Sequence, residues 1–282
     1  MGTRSIPSAE REQVEGTTSL AGNIWLKEVT DSISRPSVKE LSLSLEVEMA
    51  QGGLLRALGG LQAHFGLARL VLWAPHLRLG DREQMVAVQV LSGAVIQMSL
   101  LTHLSLPGDL VTEYLLSHIA LLPLLESFAV SSTPLINNLS GEESNGFGSL
   151  RFLDVPDANF LRRFSSYRHL DLETLKVRGL CQDSLSVIAR NFFGLREVSI
   201  EGTGFNLSEI FVLGACFQLE EIEIFTQCSL GMENVDLRQF RAMFRNLRSL
   251  SIKIGDWYND TNRRKDYAGA SLLDLDTGSF LW

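Results

Sequence analysis

LREVSIEGTGFNLSEIFVLGACFQLEEIEIF, from Leu195 to Phe225, states one phrase twice. Leu195-Arg196-Glu197-Val198-Ser199-Ile200 and Leu219-Glu220-Glu221-Ile222-Glu223-Ile224 both read L-x-x-L-x-L, with an apolar residue at each L, and they start 24 residues apart. The apolar fourth and sixth positions alternate with polar ones, which is the period of a strand with one covered face. Between the two copies, Leu207, Ile210, Phe211 and Leu213 recur at helical spacing. A short strand with a helical return, repeated at this period, is the unit of a stacked-repeat architecture.

The phrase recurs outward in both directions. Upstream copies begin at Val38, Leu67, Leu101, Leu125, Leu150 and Leu172, and Leu247-Arg248-Ser249-Leu250-Ser251-Ile252 closes the set. Nine copies at steps of 22 to 34 residues predict a leucine-rich-repeat solenoid over residues 36–254. The expected class is α/β, with about nine irregular repeats, a curved parallel sheet inside and helices outside. Apolar stripes support those helices. Met85, Val88, Leu91, Val95 and Met98 fall on one face of 84–98, and 110–122, 184–193 and 234–244 are similarly amphipathic. Asp183 and Asn206 stand where helix N-caps belong. Phe128 and Met243 read as core.

Three segments depart from the rhythm. Residues 1–35 are polar and Ser, Thr, Glu and Gly rich, a disordered leader or a short cap in which Trp25 covers the first repeat. Residues 131–149, SSTPLINNLSGEESNGFGS, replace a helix with a mobile loop whose tip is acidic at Glu142 and Glu143. Residues 255–282 end on Phe280, Leu281 and Trp282, read either as a strand folding back as a cap or as a truncated product, the latter favoured.

The chain holds 25 Lys and Arg against 33 Asp and Glu, a net charge of −8. Phosphate backbones need clustered cations, and the one dense basic run is Arg263-Arg264-Lys265, so nucleic acid is not an expected partner. No apolar run has the length of a membrane span, so neither is a membrane. Cys181, Cys216 and Cys228 lack CxxC spacing and read as buried thiols in a cytoplasmic or nuclear protein. The five histidines, His64, His76, His103, His118 and His169, lack metal-ligand spacing, and no nucleophile elbow or phosphate loop occurs. The expectation is therefore a binding protein with no catalytic residues, metal or cofactor.

Strand alternation sorts the phrase into inward and outward residues. Outward residues form columns across the sheet, so the expected protein-binding surface can be mapped. It comprises Arg69, Trp73, His103, Phe152, Lys176, Arg178, Glu197, Glu201, Glu221, Glu223 and Phe225. The four glutamates on two adjacent strands predict an acidic patch for a basic partner segment, and Trp73 is the expected aromatic anchor.

Cys216-Phe217-Gln218-Leu219-Glu220-Glu221-Ile222-Glu223-Ile224 matches the C-x-x-L-x-x-L-x-L opening of the cysteine-containing class of intracellular repeats. The irregular periods, and phrases such as Leu247–Ile252, make residues 38–254 similar to the fungal family of F-box proteins with degenerate repeats. The resemblance implies that the repeats recruit a protein substrate and that an N-terminal F-box docks the chain to Skp-type and cullin subunits of a ubiquitin ligase. An F-box opens with a Leu-Pro pair and an amphipathic helical set. Residues 1–37 contain neither, and Leu122-Pro123 lies inside a repeat. The expectation divides between an adaptor whose F-box is missing from the gene model and a stand-alone binding module or scaffold.

Overall fold

A computed structural model describes residues 39–44, 51–63, 65–74, 79–134, 144–164, 167–168, 171–180, 184–202, 207–226, 242–254, 270–274 and 279–281. Several sequence expectations lie outside them: the leader with Trp25, the loop tip at Glu142 and Glu143, the caps Asp183 and Asn206, Cys181, Cys228, and the run Arg263–Lys265.

The described elements alternate along the chain. They are β1 (Glu40–Ser44), α1 (Gln51–Gly60), β2 (Arg69–Trp73), α2 (Asp81–Val95), β3 (His103–Leu106), α3 (Glu113–Ile119), β4 (Ser127–Val130), β5 (Ser144–Asn145) and β6 (Phe152–Val155). Then follow α4 (Ala158–Phe164), β7 (Tyr167–Arg168), β8 (Thr174–Leu180), α5 (Ser184–Asn191), β9 (Glu197–Gly202), α6 (Leu207–Ile210), β10 (Glu221–Thr226), β11 (Ser249–Ile254), β12 (Ala270–Asp274) and β13 (Ser279–Leu281). Each of the nine phrases supplies one strand of an open sheet of eleven. Nine strands, from β1 to β11 without β5 and β7, run parallel in chain order. β12 joins β11 antiparallel, and β13 joins β12 in the same sense. The chain folds as an α/β leucine-rich-repeat solenoid.

Register explains why the phrase works. Its central apolar residue stacks into one column: Leu41, Leu70, Leu104, Phe128, Leu153, Leu175, Val198, Ile222 and Leu250. All nine are buried against the outer segments, and burying a side chain of this size contributes about 1.5–3 kcal/mol. A slip of one residue in any strand would turn its column to water.

The backbone locks the stack at the start of every strand. The Lys39 carbonyl accepts from the N–H groups of both Ala68 and Arg69, at 2.8 and 3.0 Å. The same double acceptance recurs at Ala68, Thr102, Glu126, Arg151, Glu173, Arg196 and Glu220. A turn opened by a buried residue precedes six of these strands. Its first residue is Met98, Leu122, Phe147, Phe192, Cys216 or Phe244, all at most 5% exposed. Cys216 also donates its S–H to the Phe192 carbonyl at 3.4 Å, and burial pushes the thiol up to about 11. A thiol so rarely ionised is a packing residue of the repeat.

The outer layer differs from the sequence expectation. α3 and α5 are shorter than the apolar stripes at 110–122 and 184–193, and 3-10 turns at 108–110 and 211–215 take over part of the return. α3 is capped by Thr112, whose hydroxyl accepts from the Leu115 N–H at 3.2 Å. Met85 is 70% exposed: the covered arc of α2 is centred on Val88, Leu91 and Val95, which leaves Met85 at its edge in the first turn. Met243 is 39% exposed and lies against Gly214. Phe128 is core, as read.

The insertion also differs. Its closing limb pairs with the chain, β5 with β7, and Phe147 is sealed in the core among Phe128, Phe164 and Tyr167. Gly146 is needed there, because a Cβ would stand 2.6 Å from that of Ala120.

Candidate protein-binding face

The residues flanking each buried column emerge on the opposite side of the sheet. The first outward column runs Glu40, Arg69, His103, Ser127, Phe152, Thr174, Glu197, Glu221, Ser249. Lys176, Ser199, Glu223 and Ser251 follow one another in the second, Glu201 and Phe225 are neighbours along the far edge, and Arg178 stands at the bulge of β8. The eleven mapped residues therefore all lie on this face, but the structure divides them into three groups.

The first group is aromatic and basic. Trp73 is 47% exposed at the end of β2, beside Ser44. Arg69 stands between Glu40 and His103, and the His103 Nδ1 lies 2.8 Å from the Thr102 hydroxyl. Phe152 is covered by the Lys176 ammonium, 5.5 Å from the ring centre, a cation–π contact that holds both side chains over the sheet.

The second group is a latch. Arg178, with its side chain 35% exposed, is engaged within the sheet. Its guanidinium donates to the carbonyls of Val130 and Ser131, at 2.8 and 3.2 Å, and to the Asp154 carboxylate at 3.0 Å. One side chain thus ties the ends of β4 and β6 to β8. The strand bulges directly after it, between Val177 and Leu180, through Gly179 at φ 61°. This left-handed conformation favours glycine. Burial holds the Asp154 carboxyl above the usual carboxylate range, against the pull of Arg178 and Lys176. Burial does the same to Glu201, with Arg178 opposing and Asp154 adding.

A raised carboxyl binds protons more tightly in the fold than in the unfolded chain. Its contribution therefore favours the fold at low pH and fades as pH rises through the raised value. Glu201→Gln should melt above the wild type near neutral pH, with the gap closing as pH falls toward about 4, the ordinary carboxylate value. Melting curves across that range check this; a gap that widens on acidification would contradict it.

The third group is acidic. Glu197 and Glu221 are register neighbours, exposed, and without an ion pair among the described residues. The Thr174 hydroxyl donates to Glu197 at 3.3 Å, and that of Ser199 to Glu223 at 3.4 Å. Like charges on adjacent strands, about 4.8 Å apart, work against the free fold. Phe225 is half-buried between Glu201 and Lys253.

Sequence reasoning missed a second charged structure on the strand-entry rim. In the last six phrases the residue after the first apolar position alternates in sign: Glu126, Arg151, Glu173, Arg196, Glu220, Arg248. Arg151 lies 3.8 Å from both Asp171 and Glu173, while Glu220 receives Arg196 at 3.8 Å and Arg248 at 3.1 Å. The alternation was readable, but attention to the L positions passed over it.

Among the described residues no group of three His, Cys, Asp or Glu could hold a metal ion, and no helix is long and apolar enough to cross a membrane. No protein-family model matches the chain, and no curated protein sequence does. Among solved structures it is similar to an internalin from Listeria monocytogenes, at 13% identity and a TM-score of 0.31, over 84% of this chain and 89% of that one. The solenoid itself is established by the parallel register of the nine strands.

Proposed function

We propose that this chain is a non-catalytic protein-binding module whose sheet face captures a protein partner, with the acidic group receiving a basic segment. One observation carries the reading: Glu197 and Glu221 face each other across adjacent strands, exposed and without an ion pair among the described residues, at a cost that a basic ligand would reverse. Trp73, Phe152, Arg69, His103 and Lys176 supply anchors farther along the face, where exposed aromatic groups carry more binding energy than rim charges. The biological context that fits the sequence resemblance is the substrate-recognition part of an F-box-type ubiquitin-ligase adaptor. It rests on the irregular repeat periods and on phrases such as Leu247–Ile252.

The test is capture by the tagged chain from an extract of its own source, with bound proteins identified by mass spectrometry. Wild type is compared with Glu197→Lys/Glu221→Lys. The adaptor reading expects Skp-type and cullin subunits with both proteins, and a further partner whose recovery falls at least tenfold with the variant. Equal recovery of that partner would remove the acidic face from the reading. A reproducible partner without Skp-type or cullin subunits would remove the adaptor context and leave a stand-alone module.

A further inference from the structure

We infer that the strand-entry rim at the last three parallel strands holds an anion-binding cleft, which takes a carboxylate or phosphoryl group of the partner whose basic segment occupies the neighbouring sheet face. The inference rests on the reading above for the identity of its ligand.

A cleft of about 560 Å³ opens there, lined by Arg196, Gln218, Glu220, Arg245, Asn246 and Arg248 among others. Earlier on the rim carboxylates outnumber the cation: Arg151 has two of them within 3.8 Å. At the cleft the ratio inverts. Glu220 alone serves two guanidiniums, one oxygen toward Arg196 and the other toward Arg248. Arg245 has no carboxylate partner among the described residues. Three arginines against one glutamate leave a local excess of two positive charges in a chain whose net charge is −8.

The geometry suits an anion. Each guanidinium carries five N–H donors in a planar fork, and one carboxylate contact leaves most of them available for a second, bidentate acceptor. The floor is fixed beforehand. The Asn246 side-chain amide donates to the Phe217 carbonyl at 2.7 Å, and the Glu220 carbonyl accepts from the N–H groups of Arg248 and Ser249. These bonds hold the turn carrying Arg245, with Arg248 just after it, against the turn before, and the Arg196 carbonyl accepts from the N–H groups of Glu220 and Glu221.

Position defines the partner further. Glu220 on the rim is followed at once by Glu221 on the face, with Glu223 two residues on. Strand residues rise about 3.3 Å each. A partner segment crossing from rim to face therefore meets positive charge and then negative charge within one to three of its own residues. The recognised chemistry is an acidic or phosphorylated residue closely followed by basic ones.

The test uses small anions and the full chain. Arginine Nε–Hε NMR signals are followed at low ionic strength while inorganic phosphate, O-phosphoserine or glutarate is added. The expected result is saturable shifts at Arg196 and Arg248, with Kd raised at least fivefold in Arg196→Gln/Arg248→Gln. Both arginines are surface residues, and a melting curve checks that the variant folds. Saturation by phosphate and phosphoserine alone assigns a phosphoryl ligand; saturation by glutarate as well admits a carboxylate. Linear shifts of equal size in wild type and variant would overturn the cleft, because they report ionic strength only. Glu197→Lys/Glu221→Lys should keep the anion response. A loss of partner capture in that variant thus speaks to the sheet face, and a lost anion response in the arginine variant speaks to the cleft.

Discussion

Phe147→Ala should lower the stability of the chain by about 3–5 kcal/mol, the range for truncating a buried phenylalanine. The ring is 1% exposed and lies 5.2 Å from that of Phe164, 4.8 Å from Tyr167 and 6.3 Å from Phe128. Its backbone is equally committed: the N–H donates to the Ala120 carbonyl at 2.9 Å, and the carbonyl accepts from Leu150 at 3.0 Å. Phe147 adopts φ 55°, a conformation that L-residues enter reluctantly, so the surrounding packing must hold it there. Alanine would leave three aromatic rings facing a cavity that the turn cannot collapse into. Urea unfolding is the measurement, with the midpoint expected to fall while the slope stays constant. A loss below about 1 kcal/mol would be that of a surface substitution, and would mean that the insertion does not depend on its buried limb.

Gly108→Ala should cost about 2–4 kcal/mol, by overpacking and by a lost hydrogen bond. A Cβ at position 108 would stand 2.1 Å from the Ser132 carbonyl oxygen and 2.7 Å from its carbon. Both are backbone atoms, so no side-chain rotation relieves the clash. The ends of β3 and β4 would have to part, with the Gly108 N–H to Ser132 hydroxyl bond of 2.8 Å and the Ser131 N–H to Leu106 carbonyl bond of 3.0 Å both at risk. Gly148→Ala is the control. A Cβ there meets nothing within 4 Å, and its midpoint should move by less than about 0.5 kcal/mol. Equal effects at the two positions would contradict the close approach of neighbouring repeats.

What could be read from the sequence, and what could not, follows the range of the forces involved. The nine strands were legible because alternation is local and strict: Leu70, Leu104 and Phe128 have to be buried together or not at all. The sides of the sheet were legible for the same reason, so Glu197 and Glu221 could be placed as neighbours from the phrase alone. Alternation says which face a side chain leaves from but not which way it then bends. Arg178 was expected on display, and it turns along the sheet to the carbonyls of Val130 and Ser131, 48 and 47 residues earlier. Met85 and Met243 were misplaced because a helical stripe marks a direction, whereas burial depends on how far the neighbouring element extends. The insertion read as a mobile loop rich in Ser, Asn and Gly, and a buried ring, Phe147, anchors its return. The rim alternation from Glu126 to Arg248 needed only to be counted, yet the balance of charge at its last members emerges only from distances.

The double acceptance at the start of each strand has a consequence for how the protein can change over generations. The joint between Glu173 and the Arg196–Glu197 pair has the same form as that between Arg196 and the Glu220–Glu221 pair. Excising residues 196–219 would bring the N–H groups of Glu220 and Glu221 to the Glu173 carbonyl in the same arrangement. Duplicating them would insert one more identical joint. The fold thus sets the form of a joint but not their number, and length can drift in whole units while register is preserved. The spread of steps from 22 to 34 residues shows where variation enters instead: in the returns, where additional chain leaves the joints untouched.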